Sequence, residues 1–189
     1  MKNLSVFNFI TLNGYYKGAN EEIDWHKHSE EDAEYSAESL KAGNILLFGR
    51  VTYEMMAGFW PSPMALENFP TVAEGMNKAE KIVFSKTLKK ADWQNTRIIS
   101  ENILDEIRKL KEVAGKDMTL LGSGSILTQM AEAGLIDEYQ IMIDPVAITR
   151  GTPIFQNIKH QLDLKLTNTR TFKNGAVLLC YRPMVNGEW

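Results

Sequence analysis

Three short polar sets in this sequence could handle an anionic ligand. The first is Gly122-Ser123-Gly124-Ser125, between an apolar run and a helical pattern. Backbone amides at such a junction point outward at a helix N-terminus, and glycines let a phosphate approach the main chain closely. A tight turn alone explains these residues equally well, and Leu127 stands where a dinucleotide fingerprint has its third glycine. The second set is Gly49-Arg50-Val51-Thr52-Tyr53-Glu54. Arg50 offers a guanidinium to a phosphate and Thr52 a hydroxyl; the plainer reading is a helix start with a surface arginine. The third is Ser85-Lys86, with Lys89 and Lys90 beyond. A hydroxyl and an ammonium suit a phosphate monoester, whereas a lysine run by itself is usually a solvated loop.

Other groups point less clearly to chemistry. His26 and His28 have Asp24, Glu30, Glu31 and Asp32 nearby. Their spacing meets no known zinc pattern, so a solvated loop and helix start is the favoured reading and no metal is expected. Ser123 and Ser125 lack a nucleophile elbow. His160 is assigned no role. Trp25, Trp60, Trp93 and the nine methionines read as packing.

The elements that must position these residues follow from the apolar pattern. Leu4–Ile10 reads as a strand, broken at Asn13-Gly14, and residues 13–24 as a loop. A helix is expected over 29–41, with Ser29 as cap, Asp32 three residues on, and Gly43 as stop. Asn44–Phe48, Lys81–Ser85 and Met118–Gly122 are apolar runs that suit strands buried on both faces. A short helix runs from Val51 to Gly58, and Thr96–Ser100 is a further strand. Residues 59–80, with Pro61, Pro63 and Pro70, read as a long loop in which Phe59, Trp60 and Phe69 could cover a substrate. Ile103, Ile107, Leu110 and Ala114 share a helical face, capped by Asn102 and ended by Gly115. Ile126–Ala133 is a helix closed by Gly134. Tyr139–Ile148 is a strand interrupted at Asp144-Pro145. Gln161–Phe172 and Ala176–Arg182 flank Asn174-Gly175 as a hairpin.

Strands alternating with helices imply a mostly parallel α/β sheet, and the last hairpin an antiparallel edge. All three polar sets then fall at carboxyl ends of strands, where open α/β sheets bind ligands. That convergence points to an extended, multiply phosphorylated ligand such as a dinucleotide.

Composition bounds the rest. The 189 residues suit one domain, expected over 1–183, with a loose tail over 184–189 in which Trp189 could pack. Hydrophobic residues make up 44% and charged residues 24%, which excludes a disordered chain. The net charge of -3 and the absence of a basic aromatic stripe exclude dedicated nucleic-acid binding. The single cysteine, Cys180, excludes an intramolecular disulfide and suits a reducing cytoplasm. The first ten residues are broken by Ser5 and Asn8 and do not read as a signal peptide. No stretch reaches the ~18 apolar residues of a membrane helix.

Read together, Gly49-Arg50-x-Thr52-Tyr53-Glu54, Ile82-Val83-Phe84-Ser85, Leu120-Leu121-Gly122-Ser123-Gly124 and Arg150-Gly151-Thr152-Pro153-Ile154-Phe155 resemble, in that order, the dihydrofolate-reductase-like superfamily. Thr11-Leu12-Asn13-Gly14-Tyr15, with Asp24-Trp25 later, is similar to a Ser-Leu-Asp-Gly pattern. That pattern marks the branch holding the reductase domain of the bifunctional riboflavin-biosynthesis deaminase-reductase, the RibD C-terminal-domain-like branch. The resemblance covers residues 4 to 183. It implies a three-layer fold with a mixed, mostly parallel eight-stranded sheet, flanking helices and NADPH lying across the strand ends. On that resemblance Arg50 and Thr52 would hold cofactor phosphates, and Ser85 and Lys86 would flank the 2′-phosphate. Gly122, Ser123, Gly124 and Ser125 would wrap the pyrophosphate, while Leu12 and Asn13 would lie near nicotinamide and substrate. A homodimer is also implied.

Departures from the family pattern keep folate and the riboflavin intermediate from being named as substrates. Asn13 replaces an aspartate, and an asparagine cannot serve as an acid. Gly122-Ser123 replaces paired glycines, and the deaminase domain is absent. The family's helix carboxylate falls at Ala33 counted from Gly49-Arg50, or at Glu30 counted from Trp25. The expected function is NADPH-dependent hydride transfer to a small conjugated heterocycle, pterin- or pyrimidine-like. Asn13, Asp24, Glu30 and Asp32 are the candidate polarising or proton-donating groups. The alternative is a nucleotide-binding or sensing homodimer without turnover, and a third reading is a structural domain with a blocked groove.

Overall fold

A computed structural model describes residues 1–184; the tail expected over 184–189 lies, from residue 185 on, outside the described residues. Its central element is an eight-stranded sheet. Five strands near its middle and one edge are parallel: β1 (Leu4–Thr11), β3 (Ile45–Gly49), β4 (Lys81–Phe84), β5 (Thr96–Ile99) and β6 (Met118–Leu121). β7 (Glu138–Asp144) joins them in parallel, beside β1. β9 (Leu164–Thr171) and β10 (Val177–Pro183) form the expected antiparallel hairpin, so the spatial order is β5-β4-β3-β6-β1-β7-β10-β9.

Every residue of β3 and β4 is buried, because helices cover both faces there. Alternate residues feed two cores. Ile45, Leu47, Ile82, Phe84, Met118 and Leu120 pack with Ile107 of α5 (Ile103–Glu112) and with Leu127 and Met130 of α6 (Gly124–Glu132). Leu46, Phe48 and Val83 pack on the other face with Tyr53 of α2 (Arg50–Phe59).

The first helix, α1 (Glu30–Lys41), begins as its sequence specifies. Ser29 Oγ accepts from the Asp32 N–H at 3.2 Å, and Asp32 Oδ2 accepts from the Ser29 N–H at 2.9 Å. This reciprocal cap satisfies two amides that the helix itself cannot. Asn102 stands at the start of α5 but in the left-handed region, and its side chain makes no capping bond; the helix ends at Glu112, ahead of the expected Gly115.

Two expectations are corrected. Residues 59–80 are not a loop: α3 (Pro63–Asn68) and α4 (Pro70–Lys78) occupy most of them, each with a proline in its first turn. There the missing N–H costs nothing and the fixed φ favours the helix. Residues 13–24 are not all loop either, since β2 (Tyr15–Gly18) pairs with β8 (Gly151–Pro153) in a small antiparallel ribbon. A Cβ on Gly151 would collide with the Lys17 carbonyl, which explains the glycine. Among the described residues, no helix is long and apolar enough to cross a membrane.

Behind α4, Lys81 is almost fully buried. Its Nζ donates to the carbonyls of Met76 (2.8 Å), Asn77 (3.2 Å) and Ala79 (2.6 Å) and lies 4.5 Å from the Trp93 ring. Three carbonyls hold the ammonium, yet with water excluded burial lowers its pKa to about 8. The unfolded lysine, near 10.5, keeps its proton to higher pH, so this residue's contribution to stability rises with pH between about 8 and 10.5. Lys81→Met leaves the three carbonyls without their donor and is expected to cost about 1–3 kcal/mol at pH 7. Chemical denaturation of both proteins checks this: the wild-type advantage over Lys81→Met grows from pH 8 to 10.5.

Candidate functional site

A cleft of about 910 Å³ opens at the carboxyl ends of β3, β4 and β6 and runs beneath α1. One end is built from two helix starts. Arg50, Val51 and Thr52 of α2 line it, as do Gly122, Ser123 and Ser125 at the start of α6. Neither helix has an acidic residue in its first turn, so no first-turn carboxylate offsets the positive potential of the two N-termini. Ser123 adopts the left-handed conformation, with φ 61° and ψ 57°. Its Oγ accepts from the buried Gly49 N–H at 2.7 Å and donates to Thr52 Oγ1 at 3.0 Å, tying the two turns together. A Cβ on Gly49 would come within 3.0 Å of that Oγ.

Ser85, Lys86 and Thr87 close the same end. Ser85 Oγ accepts from the Leu88 N–H (2.9 Å) and the Thr87 N–H (3.2 Å), which turns the chain after β4. Arg50 pairs with Glu54, one helical turn on, at 3.0 Å in an exposed position. Gly124 itself is buried, and Tyr16 of β2 covers it: a Cβ there would sit 2.7 Å from the ring.

The other end has different chemistry. Asp32 is 2% exposed and lines the cleft. Its Oδ2 accepts from Ser29 N–H and from Asn174 Nδ2 (3.0 Å), whereas Oδ1 has no partner. Ala33, Ser36 and Ser39 of α1 also line the cleft, and their small side chains keep the helix from filling it. Phe7 and Phe9 of β1 form the floor, with Gln140 of β7, whose Oε1 accepts from the Tyr35 hydroxyl at 3.3 Å. Burial pushes the Tyr35 phenol up to about 12, so it stays protonated. Phe59, Trp60 and Phe69 line the outer wall from α2 and the α3–α4 junction, with ring centroids 5.0–6.5 Å apart.

The structure thus brings Arg50, Thr52, Ser85, Lys86, Gly122, Ser123, Ser125 and Asp32 to one cleft. Five other candidates stand outside its lining, Gly124 among them, beneath Tyr16. Leu12 is 70% exposed. Asn13 clamps the chain after β7, donating from Nδ2 to the Ile148 carbonyl (2.8 Å) and accepting at Oδ1 from its N–H (3.3 Å). Asp24 and Glu30 are exposed, Glu30 on the first turn of α1. Between the two counted positions, Ala33 and Glu30, Asp32 is the buried carboxylate.

Sequence reasoning missed His26. It is 6% exposed, not part of a solvated loop, and lines the cleft. Its Nδ1 lies 2.9 and 3.1 Å from the two oxygens of Asp144, at the carboxyl end of β7, and its ring stacks on Phe9 at 3.8 Å. The residues are 118 apart in sequence, and only the break at Asp144-Pro145 hinted that this strand end was special.

A family model for the RibD C-terminal domain matches residues 2–178. The Bacillus subtilis (strain 168) protein YyaP is 33% identical over 172 residues, covering 91% of this chain and 90% of YyaP. Among solved structures, a Shewanella sp. PV-4 protein provisionally assigned to riboflavin biosynthesis superposes with a TM-score of 0.75 at 18% identity, covering 98% of this chain and all of that one. Dihydrofolate reductase from Enterococcus faecalis, complexed with NADP(H), gives a TM-score of 0.66 at 14% identity, covering 96% of each chain. At these identities the structural likenesses establish the shared fold.

The Ser123 link generates a direct test. Ser123→Ala leaves the buried Gly49 N–H without its acceptor, and stability is expected to fall by about 1–3 kcal/mol. Ser123→Gly relieves the left-handed backbone yet also loses the bond, so it recovers only part of that loss. Thermal melts of both variants decide it: wild-type stability in Ser123→Ala would mean the two turns hold without the hydroxyl.

Proposed function

We propose, from the premise that this chain belongs to the RibD C-terminal domain family, that it is an NADPH-dependent reductase of a small conjugated heterocycle, pterin- or pyrimidine-like. The observation that carries this reading is one cleft with two unlike ends. Two helix N-termini free of acidic residues open at one, and an unpartnered carboxylate oxygen of Asp32 faces the other.

The residues at the first end suit a phosphate-rich cofactor. The starts of α2 and α6 present positive potential, and Thr52 and Ser125 add hydroxyls. Lys86 and Arg50 supply mobile cations, and the exposed Arg50–Glu54 pair is weak enough for a phosphate to replace Glu54. NADPH, when bound, supplies a hydride. The protein's own work is to orient the ring to be reduced, exclude water and handle one proton.

At the second end Asp32 Oδ1 accepts a hydrogen bond from a ring N–H or an exocyclic amino group. Asn174 and the Ser29 N–H fix the carboxylate through Oδ2, so Oδ1 is held in place before the substrate arrives. Phe7 and Phe9 offer an apolar surface to a flat ring, and the wall of Phe59, Trp60 and Phe69 limits its size.

Calorimetric titration with NADPH and NADH tests the cofactor assignment. Binding with a preference for NADPH is expected. Arg50→Ala should weaken NADPH by about tenfold or more through loss of a charge-assisted phosphate contact, and NADH by less. Equal loss for both would move Arg50 to the pyrophosphate, and no binding of either dinucleotide would remove the reductase reading. A panel of pterins and pyrimidines, followed by NADPH absorbance, then separates a reductase from a dinucleotide sensor, which would bind NADPH and oxidise none. Asp32→Asn should reduce any turnover by about 100-fold while leaving NADPH affinity within about threefold.

A further inference from the structure

Four buried side-chain atoms among the described residues lack a hydrogen-bond partner, and three of them belong to residues of the cleft: Asn8 Nδ2, His26 Nε2 and Asp32 Oδ1. A buried polar atom left open costs stability, so each calls for a physical reason. Asp32 has one in the reading above. His26 has the more constrained surroundings. Asp144, 3% exposed, receives Nδ1–H on both carboxylate oxygens, which fixes the ring's orientation and its tautomer. The ring is also stacked on Phe9, and Trp25 packs edge-on at 6.5 Å. A histidine held this firmly through one nitrogen presents the other as a fixed donor or acceptor.

From this geometry we infer that His26, positioned by Asp144, is the group that delivers the proton to the substrate ring. The inference rests on the reductase reading and deepens it. Two-electron reduction of a C=N or C=C bond needs one hydride and one proton. The hydride comes from NADPH, which leaves as NADP⁺. The bond's electron pair moves to the atom that receives the proton from protonated His26 Nε2. After the transfer His26 still donates Nδ1–H to Asp144, so the ring keeps its orientation.

His28 stands beside His26. Its ring centroid lies 4.5 Å from that of His26, and it lines the cleft from an exposed position, with Phe69 on its far side at 5.9 Å. Although part of its surface stays accessible, partial burial of the ring, and then the neighbouring His26, lower its pKa, while Asp32 and Asp144 oppose that shift. The titratable groups around His26 are therefore Asp144 from β7, His28 from its own segment and, beyond His28, Asp32 from α1. In this arrangement Asp32 anchors the substrate and His26 protonates it, and Asp144 is a positioning residue.

The test uses the full chain labelled with [15N]histidine and loaded with NADPH. Nitrogen resonances of His26 are followed as 2-amino-4-oxopteridine, and separately uracil, are added. The expected result is that Nε2 moves strongly with at least one of the two while Nδ1 keeps its bonded-to-carboxylate signature. Asp144→Asn should abolish that movement, and His26→Gln should lower affinity for the responding ring by at least about tenfold, with NADPH affinity within about threefold of wild type. Nε2 resonances indifferent to both rings, in protein that binds NADPH, would overturn the inference and leave the reductase reading standing. Ring binding unchanged in His26→Gln would do the same. Failure to bind NADPH would instead remove the reading on which it rests. The wild-type titration needs no variant, so the outcome does not depend on Asp144→Asn folding.

Discussion

The hydroxyl of Ser123 is the tie on which the cleft depends. A non-glycine residue in the left-handed region carries a cost of roughly 1–2 kcal/mol. Here the same conformation aims Oγ at the Gly49 N–H and at Thr52. One side chain thereby sets the separation of two strand-to-helix turns, and with it the relative position of the α2 and α6 N-termini. Gly49 is glycine because that approach leaves no comfortable room for a Cβ. The parallel sheet brings the turns to the same edge, while the serine fixes how they face each other.

At the opposite end the constraint is electrostatic. Asp32 does two jobs with its two oxygens. Oδ2 completes the cap of α1 and receives Asn174, and Oδ1 is buried without a partner in a residue that lines the cleft. A carboxylate that starts a helix sits where the backbone dipole favours its negative charge. The buried carboxyl is therefore held by the helix start and by Asn174. Small residues at Ala33, Ser36 and Ser39 keep that helix from closing onto the sheet.

Much of the sheet was legible because β3, β4 and β6 are short apolar runs between glycines and polar turns. The hairpin was legible in Asn174-Gly175, and the start of α1 in the Ser29–Asp32 spacing. The segment 59–80 was misread because proline weakens a helix interior but favours its first turn, and only the surrounding packing reveals which applies at Pro63 and Pro70. The ribbon of β2 and β8 is too short to show periodicity. At the site, residues attached to strand ends could be placed together from local pattern, and they line one cleft. The His26–Asp144 pair could not, because it joins two distant segments whose individual residues look like ordinary loop and strand-end polarity. Asn13, Asp24 and Glu30 had the right chemistry, but their local segments turn outward.

Gly124 and Tyr16 show how such a fold constrains its own history. The phenol ring occupies the space that any side chain at position 124 would need. The two positions are therefore one steric unit, although they lie on different elements more than a hundred residues apart. The glycine cannot drift alone: a larger residue at 124 becomes tolerable where residue 16 has already shortened or its ring has moved aside. Sequences descended from a common ancestor should record this as a paired exchange, with the aromatic lost first and the glycine released afterwards.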